Sequence, residues 1–255
     1  MGAFMAQDSG RYPLWTVFDL TPTNFSFANF TIPQPGRYRV ILIGNGGNGG
    51  FGSASGGLPG AGGGGGGDVK DAWGDFSADT GVVIQRRMVN SGTSRGFGYE
   101  VARTGASNVS ALGGYHGQSN LDGGVGGADG ADGAGFADGK GGDGGASGSP
   151  GNAGGQRSSS VLDAVFMRFA WAASGAGGSA TGGGGGGDGV TLRGYPTDSI
   201  PAAPTFTATD GTNGAVAGKA GTGYGAGGGG AGRGASNADG GTGAVGGVFL
   251  IFMGT

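Results

Sequence analysis

The stretch Gly124-Val125-Gly126-Gly127-Ala128-Asp129-Gly130-Ala131-Asp132-Gly133-Ala134-Gly135-Phe136-Ala137-Asp138-Gly139-Lys140-Gly141-Gly142-Asp143-Gly144-Gly145-Ala146-Ser147-Gly148-Ser149-Pro150-Gly151-Asn152-Ala153-Gly154 decides the fold class. Taking every third residue from Gly124 gives eleven positions, ten of them glycine, with Phe136 the exception. At 72 glycines in 255 residues, about three would be expected. A period of three is that of the polyproline-II type of left-handed extended helix, with three residues per turn. The second row carries Ala128, Ala131, Ala134 and Ala137, and the third Asp129, Asp132 and Asp138. One face is therefore bare, one lined with methyls and one acidic. A bare face lets another main chain approach closely enough for N–H···O and weak Cα–H···O contacts.

Collagen shares the period but needs abundant proline to keep each strand extended, and this stretch holds only Pro150. Helices without that stiffening require lateral hydrogen bonds from neighbours, which predicts a bundle or sandwich of polyglycine-II helices. A straight 31-residue run would span about 95 Å, against a diameter near 45–50 Å for a compact chain of this length. The run must fold back, and Phe136 and Ser147 to Pro150 are the places expected for the reversals.

Outward from this stretch, glycine blocks alternate with ordinary sequence. Leu14–Leu20, Phe25–Ile32 and Arg37–Ile43 are rich in β-branched and aromatic residues and are separated by Thr21-Pro22-Thr23-Asn24 and Pro33-Gln34-Pro35-Gly36, as β-strands and turns are. Val82–Val89 and Phe97–Arg103 are further expected strands, and Val248–Phe252 is a closing one. Hexaglycines stand at Gly62–Gly67 and Gly182–Gly187, each followed by aspartate, a weak internal repeat of about 120 residues. The expected fold is mostly irregular and β, a polyglycine-II bundle with a small β portion from N- and C-terminal strands and little α-helix. Residues 1–43 form the N-terminal β region. Residues 44–255 form the glycine-rich domain, with insertions at 68–122, 156–174 and 190–210 and closure by strand 248–252. In 161–173, Val161, Leu162, Val165, Phe166 and Phe169 follow helical spacing, with Ser160 and Asp163 placed as a capping box. A short helix is expected there, although the β-branched and aromatic content argues for a strand.

Composition narrows function. Hydrophobic residues reach 36% and charged ones only 12%, the reverse of the disordered profile. With no cysteine there is no disulfide framework and no thiolate chemistry. The net charge of −3, with no basic cluster beyond Arg86-Arg87, leaves no footprint for nucleic acid. Met1 to Pro13 lacks the basic-then-apolar order of a secretory signal. Val161 to Ala173 is too short to span a bilayer, so no membrane span is expected.

Motifs that suggest chemistry dissolve into the glycine background. Gly44-Asn45-Gly46-Gly47-Asn48-Gly49 fits the dinucleotide fingerprint, but that motif must open an α-helix. Residues 50–67 contain eleven glycines and Pro59, so a helix there is penalised by roughly 10 kcal/mol or more. Gly92-Thr93-Ser94-Arg95-Gly96 fits a hydrolase elbow, with the sole histidine, His116, as the one available base. A surface histidine is the plainer reading. Asp129, Asp132, Asp138 and Asp143 belong to a period of three with alanine in the slots where calcium-binding β-rolls, of period nine, place a large apolar residue, so a solvated acidic face is expected. No enzyme, cofactor or metal site is therefore expected. Aromatics that interrupt glycine blocks remain: Trp73, Phe76, Tyr115, Phe136, Trp171, Tyr195, Phe206 and Tyr224. Some should plug the bundle and others anchor a partner, since aromatics dominate interface energetics. Tyr115 with His116, Trp171 and Tyr195 are the binding candidates.

The run Ile32-Pro33-Gln34-Pro35-Gly36-Arg37-Tyr38-Arg39-Val40-Ile41-Leu42-Ile43-Gly44-Asn45-Gly46-Gly47, the glycine blocks, and the closing Gly-Gly-Val-Phe-Leu-Ile-Phe together resemble the glycine-rich domains of tailed-phage tail fibres and tip adhesins. The resemblance covers roughly residues 30–255. It implies a polyglycine-II sandwich whose loops bind a bacterial surface receptor, protein or glycan, and it implies location in the virion. Residues 1–30 fall outside it and are assigned to contact with another virion structural protein. A homo-oligomer is compatible with this reading. Rivals are a structural virion protein without receptor contact (a capsid decoration or minor tail component), an ice-binding glycine-rich protein, whose flat weakly polar face the insertions and Asp row would spoil, and the glycine-rich module of animal receptors.

Overall fold

A computed structural model describes residues 12–54, 60–124, 126, 144, 151–155, 169–171, 182–187, 189–192, 217–233 and 236–255. Its strands are β1 (Val17–Asp19), β2 (Ala28–Thr31), β3 (Gly36–Ile43), β4 (Val69–Asp71), β5 (Phe76–Ala78), β6 (Val83–Val89), β7 (Gly98–Arg103), β8 (Val109–Ala111), β9 (Phe169–Trp171), β10 (Val190–Leu192) and β11 (Gly247–Gly254). One sheet has the order β1-β11-β3-β4, with β5 also on β3, and a second has the order β2-β6-β7-β8. All these pairings are antiparallel.

The apolar runs of β3 and β11 are continuous because both faces of their sheet are covered. Tyr38, Val40 and Leu42 pack with Val248, Leu250 and Phe252 and with Ile84, Tyr99 and Val101 of the second sheet. Ile41 and Ile43 point the other way and join Phe249, Ile251 and Val190. The first and last parts of the chain thus share one sheet, in the register Leu42↔Val248 and Val40↔Leu250.

From this β sandwich the chain runs out and back in extended glycine segments, here called rods. Among the described residues these are rod 1 (44–52), rod 2 (60–68), rod 3 (113–119), rod 4 (151–155), rod 5 (182–187), rod 6 (217–222), rod 7 (225–232) and rod 8 (238–246). Their hydrogen bonds repeat every three residues. Gly44, Gly47 and Gly50 donate to the carbonyls of Asp68, Gly65 and Gly62 in rod 2, while Gly46, Gly49 and Gly52 donate to Ala244, Gly241 and Ala238 in rod 8. Ala61, Gly64 and Gly67 donate to Ala231, Gly228 and Gly225 of rod 7, and Gly62, Gly65 and Asp68 to Gln118, Tyr115 and Leu112 at rod 3. No pleated strand distributes its donors to neighbours in a three-residue cycle; a polyglycine-II lattice does. Rod 7 lies innermost, bonded to rods 1, 2, 5, 6 and 8, with residues 225–232 all buried.

The hexaglycines now have a physical role. Gly184 and Gly187 donate to the carbonyls of Ala61 and Gly64, both at 2.8 Å, so the two tracts lie side by side and parallel. Side chains are excluded from these rows. A Cβ on Gly63 would sit 2.1 Å from the carbonyl oxygen of Gly185, and one on Gly183 2.1 Å from that of Gly230.

Two expectations are corrected, and a third lies mostly outside the described residues. Residues 169–171, expected within a short helix over 161–173, form strand β9 paired with β10; a partner strand is available there, and Phe169 and Trp171 suit a pleated ladder. Residues 161–168 and 172–173 lie outside the described residues. Residues 113–119, assigned to an insertion, form rod 3 within the bundle. Most of the 124–154 stretch, including Phe136 and Ser147 to Pro150, also lies outside the described residues. In its described part Gly144 donates to the Gly124 carbonyl, and Gly151 and Gly154, three apart, press against Gly183 and Gly186 of rod 5.

Candidate binding surface

Several of the aromatics singled out in the sequence are packing groups. Trp73 and Phe76 meet edge to face at 5.7 Å, with the Arg103 guanidinium over both rings. Tyr224 packs at 4.8 Å on Phe249 at the foot of rod 7. Trp171 stands in β9 opposite Val190, whose neighbour on the other side is Tyr224; it is therefore on a different element from Tyr115 and His116. Tyr195, Phe136 and Phe206 lie outside the described residues.

Tyr115 and His116 sit together on rod 3, where the connection between β6 and β7, residues 90–97, folds down onto them. This connection is held by the main chain. Gly113 donates to Ser91 Oγ (3.1 Å), Gly96 to the Gly114 carbonyl (2.9 Å) and His116 to the Ser94 carbonyl (2.8 Å). Gly113 allows the approach, since a Cβ there would lie 2.0 Å from the Gly96 oxygen, while a Cβ on Gly96 would press on Gly46 of rod 1 at 2.7 Å. The connection turns at Gly92, whose φ of 104° favours glycine. Arg95 then lays its guanidinium over the Tyr115 ring, 3.7 Å from the centroid, and its Nη2 donates to the Tyr115 hydroxyl.

His116 Nδ1 accepts the main-chain N–H of Asn48 at 2.9 Å. The imidazole takes the place a carbonyl would occupy beside rod 1, so the ring is neutral with its proton on Nε2. That Nδ1 lone pair is committed to a structural bond, which leaves the Gly92-Thr93-Ser94-Arg95-Gly96 motif without it as a base. Burial lowers the His116 pKa below its ordinary value. The unfolded chain then takes up the proton first, so the stability contributed by neutral His116 is complete above about pH 6.5. It is lost as pH falls from there through the lowered folded-state pKa. The expected result is a melting temperature that declines between pH 7 and pH 5.5 in the wild type. His116→Ala should have a lower melting temperature at pH 7 and a flatter profile over that window. Parallel profiles would refute the role given to the imidazole.

Sequence reasoning missed a second set of aromatics. Phe25 and Phe97 pack edge to face at 5.6 Å and are 53% and 44% exposed. Phe27, 40% exposed, lies under the Arg87 guanidinium. All three fell within expected strands, but β2 begins at Ala28 and β7 at Gly98, so the rings stand at strand ends and face solvent. Phe97 also ties this surface to the bundle, because its carbonyl accepts the Asn45 N–H at 2.9 Å.

Among the described residues no group of three His, Cys, Asp or Glu side chains is placed to hold a metal ion, and no helix is long and apolar enough to cross a membrane. The Asp129, Asp132, Asp138 and Asp143 row lies outside the described residues. Compared with known protein families, curated proteins and solved structures, the chain matches none.

Proposed function

We propose that this chain is a non-enzymatic bacteriophage virion protein, a tail fibre or tip adhesin that binds a bacterial surface receptor. The observation that carries the reading is a scaffold stiffened by main-chain hydrogen bonds between rods whose packed rows admit no side chain. Such a scaffold holds surface connections in fixed relation without a disulfide or a large apolar core. Rigid presentation of connections is what recognition requires, since it limits the entropy lost on binding. The surface formed by residues 90–97, Tyr115 and the exposed Phe25–Phe97 pair offers the aromatic and arginine anchors typical of recognition sites. The resemblance to phage glycine-rich domains supplies the virion setting, with the N-terminal region against another virion structural protein.

Purified protein should bind susceptible bacterial cells and block adsorption of the parent particle when added first. Particles that lack the chain yet adsorb normally, together with protein that ignores every host cell, would leave a structural virion component as the better reading.

A further inference from the structure

The surface where residues 90–97 meet rod 3 contains an open depression of about 470 Å³, lined by Ser91, Thr93, Ser94, Arg95, Leu112 and Tyr115. It is wide open to solvent, so a ligand there would be held from one side. Its chemistry is uneven in a specific way. The described carboxylates that pair with arginine or lysine are Asp68, Asp71, Asp75 and Glu100, and none of them pairs with Arg95. Arg95 Nη2 is used by Tyr115, but Nη1 is shielded from water and has no acceptor. That nitrogen is buried and does not itself meet an entering ligand; the Arg95 side chain lines the depression with no described carboxylate paired to it, and an anion entering there would supply the counter-charge. Around it, Thr93 and Ser94 are exposed and their hydroxyls have no protein partner, while Leu112 and the Tyr115 ring supply apolar surface. A pyranose ring presents the same mixture of hydroxyls and C–H faces.

We infer that this depression is a subsite for a carboxylate-bearing saccharide, its carboxylate on the Arg95 guanidinium and its hydroxyls on Thr93 and Ser94. Arginine suits a carboxylate because its always-charged guanidinium makes charge-assisted hydrogen bonds to it, and the Tyr115 ring beneath holds Arg95 in place. The inference deepens the receptor-binding reading and rests on it for its biological meaning, but the binding chemistry is testable alone.

The probe is a tetragalacturonate oligosaccharide, titrated calorimetrically against the full chain beside its methyl-esterified, neutral counterpart. The acidic form should bind and the ester should bind at least about tenfold more weakly. Arg95→Gln should lose about tenfold to a hundredfold in affinity, the worth of a charge-assisted hydrogen bond, with its melting temperature unchanged. Thr93→Ala, at an exposed position, should lose a few-fold and keeps the test decisive if Arg95→Gln fails to fold. Equal binding of acid and ester, undiminished binding by Arg95→Gln, or full competition by inorganic phosphate at the same concentration would each overturn the saccharide assignment. Adsorption separates the two proposals: protein that binds host cells regardless of Arg95 sinks this subsite alone. Protein that binds tetragalacturonate but no host cell sinks the receptor reading alone.

Discussion

Gly227→Ala combined with Gly230→Ala is expected to abolish the soluble, folded protein. A methyl on Gly227 would lie 2.0 Å from the carbonyl oxygen of Gly64, and one on Gly230 2.2 Å from that of Ala61. Carbon and oxygen atoms in ordinary contact stand about 3.5 Å apart, so rods 7 and 2 would have to separate by more than an ångström. At that separation the bonds from Ala61, Gly64 and Gly67 to Ala231, Gly228 and Gly225, now 2.7 to 3.0 Å, cannot persist. Both rods are buried throughout, so no water replaces those bonds. Overpacking costs about 1–3 kcal/mol per site, and each orphaned buried amide or carbonyl about 1–3 kcal/mol more. The total rivals the roughly 5–15 kcal/mol that holds a domain together. The sign is diagnostic, because a glycine-to-alanine change in tolerant backbone usually stabilises by about 0.4–1 kcal/mol through the unfolded state. Soluble yield and thermal unfolding are the measurements, with Ala220→Ser on the exposed face of rod 6 as control. A double variant that stays soluble and melts near the wild-type temperature would refute the lattice.

That lattice was only partly visible in the sequence. Glycine blocks at 44–67, at 182–187 and near 225–246 foretell rods because their glycine rows leave nothing else to pack. Rod 3 was not foretold, since Gly113-Gly114-Tyr115-His116-Gly117-Gln118-Ser119 is short and its glycines are interrupted by bulky and polar residues. Yet the two glycines that matter, Gly114 and Gly117, are three apart, and each faces rod 2 where a Cβ would meet Gly65 or Gly62. Bulky Tyr115 and His116 are tolerated because only one row of three needs to be bare. Which rod lies beside which was illegible for a deeper reason. Identical glycines carry no side chain that could encode a partner, so register comes from the strands that launch and receive the rods: β3 into rod 1, rod 2 into β4, β8 into rod 3, and rod 8 into β11.

The binding surface divides the same way. Tyr115 and His116 stood out as aromatic and titratable residues within glycine-rich sequence, whereas Arg95, Phe25 and Phe97 became visible only once the β6–β7 connection was seen lying on rod 3. Their importance comes from a contact between segments about 20 residues or more apart, such as Arg95 with Tyr115 and Phe25 with Phe97. Local pattern reports nothing about such contacts. In the sequence the asparagines of Asn45-Gly46-Gly47-Asn48 belong to a chance motif. The structure gives them a three-residue logic, with Asn45 Oδ1 accepting from the Gly246 amide at 2.7 Å and Asn48 Oδ1 from the Gly243 amide at 2.9 Å. Side-chain oxygens here do the work that carbonyls do elsewhere between rods.

Asn45→Leu should therefore be severe, and Asn48→Leu mild. Asn45 stands where the sandwich becomes the bundle, and its Oδ1 also accepts the Tyr99 hydroxyl at 3.0 Å. Tyr99 is 1% exposed, and burial pushes its pKa up to about 12, with the Asp19 charge adding to the effect, so it remains a hydroxyl donor at any working pH. Leucine matches asparagine roughly in size but accepts nothing, which strands the buried Gly246 amide and the Tyr99 hydroxyl together. Two such orphans cost roughly 2–6 kcal/mol, a fall in melting temperature of roughly 5–20 °C for a chain of this size. Asn48 is exposed, so water can take over its bond to Gly243, and the loss should stay below about 1 kcal/mol. A double-mutant cycle with Tyr99→Phe divides the penalty. Without the hydroxyl there is one orphan fewer, so Asn45→Leu should cost less in that background. Equal destabilisation at positions 45 and 48, or no coupling between Asn45 and Tyr99, would show that the junction is held by the strands alone.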